Sequence, residues 1–165
     1  MFRNIFNRFL HKLAYMFPGG GTLRPWLHRL RGAKIGNNVW ISQRVYIDEL
    51  HPEAVTIGDN CTIGVRTSIF THFYWGPRKS DYNDGKVIIE KDVFIGPHCV
   101  ILPNVRIGEG AVIKAGTVVT KDVPSHTLWG PPSAGVLGRV TVPLTSEHNY
   151  EEFIRGLKPD RIKKT

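Results

Sequence analysis

No aspartate or glutamate occurs before Asp48. Every lysine and arginine ahead of it, namely Arg3, Arg8, Lys12, Arg24, Arg29, Arg31, Lys34 and Arg44, is therefore uncompensated locally. The net charge of +8 is concentrated at one end of the chain, which implies an anionic partner there. Cysteine is nearly as scarce: Cys61 and Cys99 form no disulfide framework and belong to no CxxC or His-rich metal spacing. A reducing compartment is the default and no metal site is expected. Also absent is any run of about 18 apolar residues. The opening MFRNIFNRFLHKLAYMFPGGG breaks its apolar residues with Arg, Asn, His and Lys, which excludes a membrane span and argues against a signal peptide. No nucleic-acid-binding motif accompanies the basic residues. The expected location is cytoplasmic, at the inner face of the membrane if the basic N-terminal segment rests on lipid.

What is present is a period of six. From Ile35 an aliphatic residue recurs at Ile41 and Ile47, then at Ile57, Ile63 and Ile69, then at Ile89, Ile95, Ile101, Ile107, Ile113 and Val119. Four residues after these positions stand small or β-branched residues: Val39, Val45, Cys61, Thr67, Val93, Cys99, Val105, Ala111, Thr117 and Val123. A helix requires period 3.6 and a flat strand period 2, so six suits neither. It suits a three-sided coil, in which each hexad supplies one short strand and successive coils stack at about 4.8 Å. The predicted fold is an all-β solenoid, a parallel β-helix of about four coils. Gly36, Gly58, Gly64, Gly96 and Gly108, each following its isoleucine, are expected to supply the backbone freedom of the corners.

Taken by threes, the hexads open coils at Ile35, Ile57, Ile89 and Ile107, at spacings of 22, 32 and 18 residues. Both excesses over 18 fall after the third hexad, so all inserted residues project from one edge. The longer insertion, about 72–86, is rich in aromatic, charged, Gly and Pro residues, as a functional loop is. The organisation read from this pattern is a helical capping segment over 1–34, the coil over 35–124 and a C-terminal extension over 125–165. Within the first segment, Phe2, Ile5, Phe6, Phe9, Leu10 and Leu13 have helical spacing and Thr22 to Arg31 reads as a second short helix; 146–157 reads as a last one. The first helix has two readings, a cap on the open end of the coil or an amphipathic helix on an anionic bilayer.

The stretch VFIGPHCVILPNVRIGEGAVIKAGTVVTKDVP, Val93 to Pro124, together with Gly32 to His72, resembles the hexapeptide acetyltransferase family, which includes galactoside, maltose, serine, xenobiotic and polysaccharide acetyltransferases. The resemblance implies a left-handed coil, a homotrimer, acetyl-coenzyme A as co-substrate in a groove between protomers, and a catalytic histidine just before the large loop. His72, in TSIFTH, occupies that place. Ala115, Thr120 and Lys121 match the stretch lining the coenzyme groove, and Phe94 stands for the family's tryptophan. Pro97 replaces a common small residue, and Gly130-Pro131-Pro132-Ser133-Ala134 lacks the usual basic residue, for which Arg139 is the nearest replacement.

Moving an acetyl group to a hydroxyl needs a base, and a neutral imidazole near pH 7 suits that role. Stacking by register puts position 72 over position 50, which brings Asp48, Glu49 and His51 near His72. One of these carboxylates would hold the imidazole tautomer. Asp48, Glu49, His51, Trp75 and Tyr82 are the residues expected around the acceptor. The loop aromatics favour a saccharide hydroxyl, with serine or an antibiotic as alternatives. Asp81 and Asp84 read as turn formers and His98 as an outward corner residue. A zinc site of the γ-carbonic anhydrase type lacks its histidine pair, because Pro103 stands five residues after His98. A coil that has lost catalysis and serves as a binding module is the remaining alternative.

Overall fold

Isoleucines six apart build three sheets rather than one. The structure is a computed structural model that describes residues 2–72, 85–131, 138–142 and 150–159. The first coil lays down β1 (Lys34–Ile35), β2 (Trp40–Ile41) and β3 (Tyr46–Ile47), and the second β4 (Val55–Ile57), β5 (Thr62–Ile63) and β6 (Ser68–Ile69). The third contributes β7 (Val87–Ile89), β8 (Phe94–Ile95) and β9 (Val100–Ile101), and the fourth β10 (Arg106–Ile107), β11 (Val112–Ile113) and β12 (Val118–Val119). These pair in parallel as β1-β4-β7-β10, β2-β5-β8-β11 and β3-β6-β9-β12. Isoleucine lies on isoleucine in each: Ile35, Ile57, Ile89 and Ile107 form one column.

The stack does not stop at residue 124, where the sequence placed its boundary. Val123 bridges to Ile107, and β13 (Leu128–Trp129) adds a further strand on β11, so that Trp129 covers Ile113. The inward columns are fully buried, as are Val39, Cys61, Val93, Cys99 and Ala111 between them. Burying each isoleucine contributes about 1.5–3 kcal/mol. The polar inward residues are satisfied by carbonyls: Thr67 Oγ1 donates to Gly96 O at 3.1 Å and Thr117 Oγ1 to Lys114 O at 2.6 Å.

The corners turn by a different device from the one expected. Left-handed backbone falls on the third residue after the inward isoleucine at Asn38, Arg44, Asn60, Arg66, Asp92, His98 and Asn104, and at Gly110 and Gly116, but not after Ile47 or Ile69, where the insertions leave. The glycines directly after the isoleucines have no positive φ; they are required by proximity. A Cβ at Gly58 would lie 2.6 Å from Lys91 N, at Gly64 2.5 Å from Pro97 N and at Gly96 2.6 Å from Ala115 N, all backbone of the next coil.

Backbone N–H groups donate forward, from Gly36 to Ile57 O and from Gly58 to Ile89 O, so the first coil's own carbonyls face away from the stack. Helix α1 (Phe2–Met16) and helix α2 (Leu23–Leu30) cover them. Three arginines at and beside α2 take one strand each: Arg29 Nε donates to Ile35 O at 2.9 Å, Arg24 Nη1 to Ile41 O, and Arg31 Nη2 to Ile47 O at 3.1 Å. Much of the basic excess read as a mark of an anionic partner thus caps a sheet end. Helix α1 packs on α2 through Leu10 and Ala14 against Leu27. Ile5, Phe6 and Phe9, whose spacing suggested a cover, point away from the body and are exposed.

The residues beyond Pro131 form a separate unit. In it β14 (Gly138–Val140) pairs antiparallel with β15 (Leu157–Pro159), and α3 (Tyr150–Gly156) lies between them in sequence. Thr141 N donates to Gly156 O at 3.0 Å.

Candidate active site

Both insertions leave after the third-sheet strands, one after β3 and one after β6, and β3 pairs with β6. Residues just beyond these strands are therefore neighbours. Asp48 follows Ile47 and His72 ends the described part of the chain beyond Ile69. The register carries Asp48 beneath the start of the second insertion, where Asp48 Oδ2 lies 2.7 Å from His72 Nδ1.

Asp48 is fully buried and surrounded by donors. Its Oδ1 accepts from the N–H of Leu50 at 2.9 Å and of His51 at 3.1 Å, an Asx-type turn that shapes the first insertion. Oδ2 accepts from Thr71 N at 2.8 Å as well as from the imidazole. Burial alone would raise the carboxyl's pKa; the hydrogen bonds from Thr71, His51 and Leu50 outweigh it and hold the group below the ordinary carboxylate value. An ionised Asp48 accepts the Nδ1–H of His72, so the neutral ring has its basic nitrogen at Nε2. The His72 side chain is 13% exposed, at the edge that collects the insertions.

A second layer holds this pair. Arg31, fully buried, donates from Nη2 to the carbonyl oxygens of Ile47 at 3.1 Å and Asp48 at 2.6 Å, while its Nη1 lies 2.9 Å from His28 Nδ1. Desolvation lowers the Arg31 pKa to about 10, against the raising influence of Tyr46, Asp48, Glu49 and Glu53, so it remains charged at neutral pH. Arg31 and Thr71 were not singled out in the sequence. Thr71 had no distinguishing signal, but Asp48 opening a short insertion is a legible Asx-turn signature.

The remaining expected residues distribute as follows. Asp48, placed by the sequence around the acceptor, has no exposed surface and touches His72 instead. Glu49 is half-buried and pairs with Arg8 at 3.3 Å, so the carboxylate in contact with His72 is Asp48. His51 stands edge-on to His72 with ring centroids 5.8 Å apart. Trp75 and Tyr82, like Asp81 and Asp84, lie outside the described residues. Phe94 is exposed on the middle sheet, and Ala115 and Thr120 are exposed at corners. Lys121 Nζ lies over the Trp129 ring at 5.6 Å. Arg139 belongs to β14 of the second unit, opposite Lys158. His98 is an exposed left-handed corner. Cys61 and Cys99 are buried, and desolvation raises both thiol pKa values, which makes them packing groups.

A hexad-repeat coil with three parallel sheets defines the hexapeptide-repeat class of left-handed β-helix proteins. The family described as "Bacterial transferase hexapeptide (six repeats)" matches residues 86–121, and "Hexapeptide repeat of succinyl-transferase" matches residues 54–71. Over these stretches the chain carries the repeat that hexapeptide-repeat transferases share. It is 41% identical over 110 residues to "Putative acetyltransferase YvoF" of Bacillus subtilis (strain 168), an alignment covering 66% of this chain and 62% of that protein. It is 33% identical over 111 residues to a serine acetyltransferase of Bacillus pumilus (strain SAFR-032), covering 67% of this chain and 48% of that one. The chain thus spans less than two thirds of either relative's length. Among solved structures it resembles the hexapeptide-repeat acetyltransferase VCA0836 of Vibrio cholerae, complexed with acetyl coenzyme A, at TM-score 0.60 and 25% identity over 76% of this chain and 80% of that one.

Proposed function

We propose that the protein transfers an acetyl group from acetyl-coenzyme A to a hydroxyl of a saccharide, with His72 as general base in a ternary complex. The observation that carries this reading is the 2.7 Å contact between Asp48 and His72 on the insertion edge. As the acceptor oxygen forms its bond to the thioester carbonyl carbon, its proton passes to Nε2 of His72. Loss of the sulfur breaks the C–S bond, and the imidazolium returns that proton to the departing thiolate. Asp48 steadies the ring in the required tautomer and stabilises the imidazolium charge. Direct transfer needs no acyl-enzyme, which agrees with the burial of both cysteines.

The residues suited to hold the coenzyme are Phe94, Ala115, Thr120 and Lys121. The corner at Ala115 and Gly116 is open: Ala115 is exposed, and a Cβ on Gly116 would meet nothing within 4 Å. A narrow arm can therefore lie along this corner, and the Lys121 ammonium suits a phosphate. Homotrimer formation is supported by a mostly apolar column on the middle sheet, where exposed Trp40, Phe94, Val112 and Leu128 share a face, with half-buried Thr62 between Trp40 and Phe94. The aromatics of the second insertion, Trp75 and Tyr82 among them, favour a pyranose acceptor. The likeness to a serine acetyltransferase favours serine as the second candidate.

The test is release of free thiol from acetyl-coenzyme A with a panel of saccharides and with serine, product identity being read by mass. Saccharide-dependent release that His72→Ala abolishes is the expected result. Turnover retained in His72→Ala, or acetylation of serine alone, overturns the corresponding part of the reading.

A further inference from the structure

Helix α1 meets the body of the protein through its less apolar side. Asn7, Leu10, His11 and Ala14 are buried, with the His11 ring edge-on to Tyr46 at 5.1 Å. The opposite side is the apolar one: Ile5, Phe6, Phe9 and Met16 are 59%, 56%, 58% and 59% exposed. At helical spacing these four residues occupy a sector of about 100°; half-buried Leu13, within the same sector, packs against the Leu10–Ala14–Leu27 cluster instead. An amphipathic helix that served only as a cap would turn this stripe inward; here the stripe is left without a partner among the described residues.

We propose that α1 docks on the surface of an anionic phospholipid bilayer, lying flat with the Ile5–Phe6–Phe9–Met16 stripe among the acyl chains. Charge decides between lipid and a second copy of the chain. The helix carries Arg3, Arg8 and Lys12 and no acidic residue. Exposed Lys12 adjoins the stripe by helical position, whereas Arg8, further round the same flank, is paired with Glu49 of the body. Two such faces brought together would oppose like charges around their rims, whereas at a bilayer the same groups meet phosphate. The helix spans Phe2–Met16 and no helix among the described residues is long and apolar enough to cross a membrane, so the contact is one of lying on the surface. Docking of this kind would hold the insertion edge near acceptors that are themselves attached to lipid.

The experiment is flotation of the full chain with vesicles of phosphatidylcholine alone and of phosphatidylcholine with about one third phosphatidylglycerol. The chain should float with the anionic vesicles, and its partition should fall with added salt. The double variant Phe6→Asp/Phe9→Asp should lower that partition on the order of a hundredfold, and Lys12→Gln about fivefold. Both sites are exposed, so the melting temperature and any acetyl transfer to a soluble acceptor should stay at the wild-type level. That separates failure of docking from failure of the catalytic reading. The proposal is overturned if the chain floats with neither vesicle, or if the double variant floats as well as wild type. It is also overturned if, without lipid, the double variant loses a self-association that the wild type shows, since the stripe would then belong to a second copy.

Discussion

Asp48 and His72 stand 24 residues apart in sequence and 2.7 Å apart in space, joined because one strand of each coil ends at the same edge. Replacing Asp48 by Asn keeps the shape but removes the charge that fixes the Nδ1–H tautomer. Turnover is expected to fall by on the order of 10²-fold with KM changed about twofold or less, whereas His72→Ala should lose on the order of 10²- to 10⁴-fold. Steady-state thiol release separates the two constants; an unchanged kcat in Asp48→Asn would deny the aspartate any orienting role.

Arg31 acts on the same site from behind. Arg31→Met withdraws two donors from the carbonyl oxygens of Ile47 and Asp48, both in a buried setting. A destabilisation of about 2–4 kcal/mol is expected, since each buried acceptor left unmade costs about 1–3 kcal/mol. Urea unfolding reads this directly, and a shift below about 0.5 kcal/mol would show that water replaces the guanidinium without loss.

Acidification should loosen the N-terminal cap. Burial, aided by the Arg31 charge and opposed by Asp48, lowers the His11 pKa from 6.5 to about 4. Its Nδ1 has no hydrogen-bond partner among the described residues, in keeping with a ring held neutral. The unfolded chain therefore takes up a proton that the folded one refuses. The stability present above pH 6.5 is lost as the pH falls through about 4, by roughly 3 kcal/mol. His28 is lowered for the same leading cause, desolvation, and adds in the same direction. Melting temperatures recorded from pH 7 to 4 should decline more steeply for the wild type than for His11→Gln. Parallel curves would remove His11 from the account.

The two kinds of glycine should respond oppositely to space and to backbone angle. Gly64→Ala places a methyl 2.5 Å from backbone of the next coil and should cost more than about 3 kcal/mol, because a stacked coil has no freedom to retreat. Gly116→Ala meets open space and bears only the left-handed φ of 71°, at about 1 kcal/mol. Equal midpoints in urea for the two variants would refute the distinction.

The isoleucine columns, the coil openings and the edge that gathers the insertions were all legible in the sequence, because the inside of a three-sided coil accepts one residue size at one period. The resemblance to hexapeptide acetyltransferases pointed to His72, and stacking arithmetic brought it to the neighbourhood of Asp48, Glu49 and His51. It left open which carboxylate would turn inward. Arg8 draws Glu49 outward, while Asp48 is held by the N–H groups of Leu50, His51 and Thr71. The corner glycines were given the wrong reason, since composition shows where a glycine stands but not whether an angle or a neighbour demands it.

The order of the residues by itself determined that this chain coils, where the coils begin and which histidine stands at the rim, since a period of six apolar positions buries itself in one way. Only the packed molecule decided that three arginines of the basic segment close the first coil, that Asp48 rather than Glu49 supports His72, and that α1 turns its aromatic side outward. Those outcomes depend on which unpaired carbonyls and donors meet across sequence distance, a competition that no local pattern of letters records.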